Sequence, residues 1–212
     1  MTNFTNRAGA AIVYGLIDTI QSNKEYLSEI DGAIGDGDHG INMNKGFTIC
    51  KERLTADKNM SEALGMLGDI LLTEIGGSMG PIYGSFFLEM SAAAEGVSEI
   101  DEQVFGKMLS AGLAGIRELV PTEVGDKTLL DTLIPAVKAF NDSIVGGSDF
   151  IAALDRTAQS AEAGKESTKD MIAKVGRASR LGERSRGVLD AGATSCWLII
   201  NSMCTTAKEL LR

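Results

Sequence analysis

The chain is poor in several residue types that define common functional classes. Among 212 residues it has one histidine, one tryptophan, three prolines and three cysteines. Cys50, Cys196 and Cys204 show no C-x-x-C spacing, so neither a disulfide framework nor a cysteine-bound zinc is indicated; reduced, buried thiols are expected. Aromatic residues are only 5% of the chain and period-two alternation is nearly absent, which argues against a sheet protein. No apolar run reaches the roughly 18 residues of a membrane span, and no signal segment is recognisable, so a cytoplasmic protein without a membrane partner is expected. Lysine and arginine number 20 against 29 aspartates and glutamates, a net charge of −9. With no basic stripe, nucleic acid is not an expected partner. An anionic ligand would be repelled as well, unless metal ions or backbone dipoles receive it. No G-x-x-x-x-G-K-[ST] sequence occurs, which excludes a P-loop.

What the chain does have is helical periodicity. Ile12, Leu16, Ile17 and Ile20 form one stripe; Leu64, Leu67, Ile70 and Leu71 a second; Leu130, Leu133, Ile134 and Val137 another. The spacing predicts eight helices, over about 5–22, 44–57, 61–75, 82–95, 102–119, 128–144, 149–174 and 193–211, the seventh with a break near Lys165–Ser167. Ser61, Ser148 and one of Asn42 and Asn44 are candidate caps, the other asparagine facing the acidic loop, and Pro81 suits a first helical turn. The expected fold is all-α, an eight-helix antiparallel up-and-down barrel or bundle spanning 1–212 as one domain. Loops after helices two, four and six are ordinary. Those after one, three, five and seven hold GDGDHG, GGSMGP, PTEVGDKT and GRASRLGERSRG followed by DAGAT. In an up-and-down order alternate loops share an end, so all four would converge on one rim.

The richest segment is EIDGAIGDGDHGINMNKGF, residues 29–47. Asp31, Asp36 and Asp38 lie within eight positions, separated by glycines. Such a loop repels itself unless a cation fills it, and hard cations such as Mg²⁺ prefer carboxylate oxygens. A solvated acidic loop with helix-capping aspartates is the alternative. An EF-hand is excluded, because Phe47 stands where its twelfth-position glutamate belongs. Gly35, Gly37 and Gly40 match G-x-G-x-x-G literally, but no strand precedes them, and aspartates there would oppose a pyrophosphate. His39 follows a carboxylate of the cluster. Gly76–Pro81 offers backbone amides and a helix N-terminus to an anion. Asp126 of GDKT is a candidate cap for helix six. Arg177, Arg180, Arg184 and Arg186 are the one basic concentration and suit phosphate.

With these motifs in place, the chain resembles the nucleotide-binding L subunits of bacterial dihydroxyacetone kinases. IGDGDHGINMNKGF, GGSMGPIYGSFF, GDKTLLD, GRASRLGERSRG and GATS stand in the family's order across nearly the whole chain. The resemblance implies an eight-helix barrel with the nucleotide site at one rim. It implies two Mg²⁺ ions on Asp31, Asp36 and Asp38. It implies nucleotide contacts from His39, Gly40, Ile41, Asn42, Ser78, Met79, Leu129, Arg177, Asp190, Ala191 and Gly192, with Arg177 a phosphate stabiliser. Relatives often carry Asp-Pro-Gly where this chain has Asp190-Ala191-Gly192, so that loop departs from the pattern. The implied activity is phosphoryl transfer. Bound ADP is phosphorylated by a phosphohistidine carrier of the phosphotransferase system, and the resulting ATP passes its γ-phosphoryl group to dihydroxyacetone on a separate K subunit. Two alternatives stand beside it: a kinase subunit exchanging free ATP for another acceptor, and a nucleotide-loaded adaptor without turnover.

Overall fold

The apolar stripes fold, in a computed structural model describing residues 2–212, into nine α-helices: α1 (Ala10–Ser22), α2 (Lys24–Ile34), α3 (His39–Arg53), α4 (Met60–Glu74), α5 (Met79–Ala93), α6 (Glu102–Leu119), α7 (Leu130–Val145), α8 (Phe150–Ser167) and α9 (Ala191–Leu210). Eight of them close a ring. α1 packs on α3, then α4, α5, α6, α7, α8 and α9 follow in order, and α9 returns to α1. The expected eight-helix barrel is this ring. α2 lies outside it, against α3 and α9, in a stretch expected to be loop. It forms because Leu27, Ile30 and Ile34 repeat at i, i+3 and i+7 and bury one face.

Helix ends differ from expectation where a better acceptor lies nearby. Asn59, not Ser61, caps α4: its side chain accepts from Glu62 N–H while the Glu62 carboxylate accepts from Asn59 N–H, a reciprocal capping box. Asp149, not Ser148, caps α8 by accepting from Ala152 N–H. α3 starts at His39 rather than 44, which puts Asn44 inside the helix and not at its cap. α8 stops at Ser167, within the expected break, and a 3-10 turn, Thr168–Asp170, follows. Pro135 lies inside α7 and has no N–H for the Asp131 carbonyl. Gly164 of α8 sits against that carbonyl, so closely that a Cβ would collide with it. The proline and the glycine together let α7 and α8 approach.

Inside the ring Phe105, Phe140 and Phe150 meet at centroid distances of 5.5–6.0 Å, and Phe86 and Phe87 at 5.1 Å. Truncating such a ring to alanine costs about 3–5 kcal/mol. Two two-residue strands, β1 (Phe4–Thr5) and β2 (Glu99–Ile100), pair antiparallel at the end of the ring that carries the short, ordinary loops. There Asn6 is buried and donates to the Val97 and Ala94 carbonyls while accepting from Ser61 N–H. All three cysteines are free and buried, and burial pushes the Cys50 thiol up to about 11 and Cys204 to about 12, which fits unreactive core thiols. No helix among the described residues is long and apolar enough to cross a membrane.

Candidate functional site

At the opposite end the four unusual loops meet, as the alternation of helices requires. They enclose a cavity of about 770 Å³. Its lining includes the first residues of α3, α5 and α9 and Leu129 just before α7, because every one of these helices begins at this rim. The lining is apolar at Met79, Ile82, Val120, Pro121 and Leu129, and charged at Asp31, Asp36, Asp38, Arg177 and Asp190.

Asp31 sits in the last turn of α2, and Asp36 and Asp38 in the short link to α3. Each offers an oxygen, and these oxygens all lie within 4.8 Å of one another. Octahedral Mg²⁺ holds oxygens at about 2.0–2.1 Å, so opposite ligands on one ion stand roughly 4.2 Å apart. That bound accommodates one ion or a pair sharing ligands, and the all-carboxylate chemistry suits a hard divalent cation. Two partners already hold the cluster. Asp31 accepts from His39 N–H at 3.3 Å, and Asp36 is ion-paired with Arg177, whose side chain is otherwise 62% exposed.

His39 is buried at the start of α3. Desolvation pulls its pKa down to about 4, against the opposing effect of Asp31, so the imidazole is neutral at physiological pH. Its Nε2 lies 2.8 Å from Ser195 Oγ, which lies 2.6 Å from the Tyr83 hydroxyl. Tyr83 and Ser195 both reach the Gly192 carbonyl, at 3.2 and 3.1 Å. This buried chain ties the starts of α3, α5 and α9 together under the cavity. Burial pushes the Tyr83 hydroxyl well above the usual phenol range, so it remains a donor.

The 120–129 loop is held from within. Asp131, buried in the first turn of α7, accepts from Gly125 N–H at 2.5 Å and Thr128 N–H at 2.6 Å. Asp126 does not cap α7. It accepts from Glu123 N–H and pairs with Lys174. Lys127 turns inward and is 2% exposed. Asp190 caps α9 by accepting from Ala193 N–H at 2.7 Å, and withdrawal from water pushes its carboxyl up to about 6.

Of the residues singled out in the sequence, Asp31, Asp36, Asp38, His39, Asn42, Ser78, Met79, Leu129, Arg177, Asp190, Ala191 and Gly192 all line the cavity. Gly40 and Ile41 do not: Gly40 is packed against the Lys24 carbonyl of α2, and Ile41 is exposed. The arginines separate. Arg177 faces the cavity, Arg180 borders a shallow adjoining recess, and Arg186 binds Glu183 and the Asp170 carbonyl. Tyr83, Ser195 and Lys127 escaped the sequence reading. Tyr83 and Ser195 lie within GGSMGPIYGSFF and GATS, but nothing in either motif marks them as partners.

Ring and cavity together define an all-α domain with a carboxylate-rich ligand site at one rim. The chain belongs to the DAK2 domain family, which it matches over residues 33–205. It is 37% identical over 194 residues to the ADP-binding subunit DhaL of PEP-dependent dihydroxyacetone kinase 2 from Listeria innocua, covering 90% of this chain and 89% of the relative. It is 37% identical over 194 residues to the ADP-binding subunit DhaL of the PEP-dependent dihydroxyacetone kinase from Escherichia coli, covering 91% and 92%. Its fold is shared with the dihydroxyacetone kinase of C. freundii crystallised with AMP-PNP and Mg²⁺, at a TM-score of 0.68 and 21% identity, over 92% of this chain. The chain spans about a third of that longer protein, 33% of its length.

Proposed function

We propose that the chain is the nucleotide-holding subunit of a dihydroxyacetone kinase, keeping ADP in the rim cavity as a phosphoryl carrier. The observation that carries this reading is that one cavity is lined by both apolar side chains and a three-carboxylate cluster. The apolar residues Met79, Ile82 and Leu129 suit a flat base. Asp31, Asp36 and Asp38 fit Mg²⁺, and two ions would offset the three carboxylates plus part of the diphosphate charge. When bound, Mg²⁺ neutralises phosphate charge as the phosphoryl group moves.

The chain's own groups do the rest. Ser78 makes no side-chain cap to α5, which leaves the Met79 amide, at the cavity, to a phosphate oxygen. Arg177 exchanges its carboxylate partner for phosphate when cations occupy the aspartates. Neutral His39 supplies a hydrogen bond rather than a charge. The amides of Gly40 and Ile41, in the first turn of α3, give these two residues a backbone route to the ligand. Asp190, Ala191 and Gly192 complete the lining at the start of α9. No general base is needed here, since the acceptor hydroxyl belongs to dihydroxyacetone on a K subunit. A phosphohistidine carrier recharges ADP at the same open rim. The whole chain acts as one domain in the cytoplasm.

Native mass spectrometry of the purified protein tests the reading. A mass increment of ADP with Mg²⁺ is expected, and phosphoenolpyruvate-driven phosphorylation of dihydroxyacetone should require this chain together with both partners. Nucleotide that exchanges freely with added ATP would favour the ATP-exchanging kinase. Retained nucleotide without transfer would favour an adaptor.

A further inference from the structure

Among the described residues, Lys127 is the one buried lysine whose ammonium is surrounded by backbone carbonyls alone. Its Nζ donates to the carbonyls of Val188, Thr168 and Ser185 at 2.6, 2.7 and 2.8 Å, with the Met171 carbonyl at 3.3 Å. An ammonium has three protons, so the Met171 contact shares one. These four acceptors come from both ends of one segment, 168–188, which links α8 to α9 and has Arg177 near its middle. Lys127 reaches them from the 120–129 loop, whose Asp126, Thr128 and Leu129 line the cavity. It does so from a left-handed backbone, φ +62°, the only non-glycine with positive φ among the described residues. That conformation is unfavourable for a side-chain-bearing residue and persists where surrounding contacts enforce it.

Around this ammonium the segment closes on itself. Gly187 N–H donates to the Lys169 carbonyl, Ala173 N–H to Ser185 Oγ, and Asp190 N–H to Thr168 Oγ1. No strand or long helix holds residues 171–189; turns and one 3-10 stretch, Ala178–Ser185, are all it has. Without the ammonium, three or four inward carbonyls would lose their donor at once, and a carbonyl pointing into protein without a donor is unfavourable. Arg177 is 62% exposed, and its pair with Asp36 is the ion pair its side chain makes among the described residues.

We propose that Lys127 is the positioning residue for the Arg177 arm: its ammonium pegs both ends of segment 168–188 so that Arg177 and the Asp190 cap stand at the cavity. This rests on the reading that the cavity takes Mg·ADP, and its test separates the two.

The experiment compares wild type, Lys127→Met, Arg177→Gln and the double variant. Trypsin digestion with mass mapping, without nucleotide, reads the arm alone. In Lys127→Met, cleavage after Arg177, Arg180 and Arg184 should quicken at least tenfold while the helical melt stays cooperative. Calorimetric Mg·ADP affinity should fall about tenfold in each single variant and no further in the double, because both act through one guanidinium. Unchanged cleavage, or additive losses of affinity, would overturn the proposal. If wild type binds no Mg·ADP, the nucleotide reading fails while the cleavage result still decides whether Lys127 pegs the arm. If Lys127→Met does not fold, amide exchange in wild type decides. The Ala173, Gly187 and Asp190 amides should exchange as one unit with those of Gly125 and Thr128, and exchange at loop rates instead would overturn the proposal.

Discussion

Replacing Asp36 with asparagine separates the metal reading from a purely structural one, because the two predict different signs. The oxygens of Asp31, Asp36 and Asp38 lie within 4.8 Å of one another. At an effective dielectric of about 20, two unit charges at that distance repel by roughly 3.5 kcal/mol, and exposure to solvent reduces this several-fold. Asparagine removes two of the three repulsions. It also removes the pair with Arg177, which at such exposed groups is worth about 0–1 kcal/mol. Without Mg²⁺ the variant should therefore match wild type within about 1 kcal/mol, or exceed it. With Mg·ADP the order reverses. At a ligand concentration near 100 times Kd, binding stabilises wild type by about 2.7 kcal/mol. For a domain of this size that is a rise of roughly 5–11 °C in Tm. If the lost carboxylate weakens binding about a hundredfold, the same ligand gives only about 0.4 kcal/mol, a shift of roughly 1–2 °C. Differential scanning fluorimetry with and without Mg·ADP, after stripping bound nucleotide, measures both. A full ligand shift in the variant would refute the metal assignment. A loss of stability beyond 1 kcal/mol without ligand would show that Asp36 is structural.

The remaining expectations concern the framework under the cavity. Tyr83→Phe removes a buried hydroxyl bonded to Ser195 and to the Gly192 carbonyl, and should cost about 1–2 kcal/mol in urea denaturation; no loss would mean the chain of hydroxyls is not a tie. Gly164→Ala places a methyl against the Asp131 carbonyl and 2.9 Å from Thr132 Cα, and should destabilise by about 1–3 kcal/mol; a neutral result would show that α7 and α8 can move apart cheaply. His39 and Asp190 should oppose each other on acidification. The His39 pKa is depressed to about 4 in the fold, so from its ordinary 6.5 downward the unfolded chain takes the proton and stability falls with pH. The Asp190 pKa is raised to about 6, so from 6 down to 3.8 the folded chain takes the proton and stability rises as pH falls. Asp190→Asn keeps the cap but loses that second slope, so its urea midpoint should drop more steeply than wild type between pH 6 and 4. Parallel profiles would contradict the Asp190 assignment.

Much of the ring was legible because each helix declares its buried face. The stripes through Ile12–Ile20, Leu64–Leu71 and Leu130–Val137 all turned inward. The meeting of four loops at one rim followed from counting helices, and needed no side-chain detail. α2 was passed over although Leu27, Ile30 and Ile34 keep helical spacing, since eleven residues running straight into a glycine-rich acidic loop give few turns of signal. It does not disturb the alternation, because it lies within the connection between two ring helices. The caps were misplaced where serine stood beside a better acceptor. Asn59 with Glu62 three residues on was a readable capping box, and Ser61 instead hydrogen-bonds to Asn59. Tyr83, Ser195 and Lys127 were not legible. Their roles depend on partners 41 to 156 positions away, and a lysine surrounded by carbonyls looks in sequence like any surface lysine.

Asn6 and the short strand pair near it hold the end of the ring away from the cavity. α9 leaves the rim at Ala191 and runs twenty residues, about 30 Å, back toward that same end. The first and last described residues therefore both emerge on the side facing away from the ligand. An affinity tag, a surface tether or a whole fused domain attached at either point leaves the rim clear. A docking experiment can thus immobilise this stretch by either of its described ends and still present the open mouth to its partners. A permuted chain, with old ends joined behind the ring and new ones opened at the exposed Val145–Gly147 turn, should keep the same cavity.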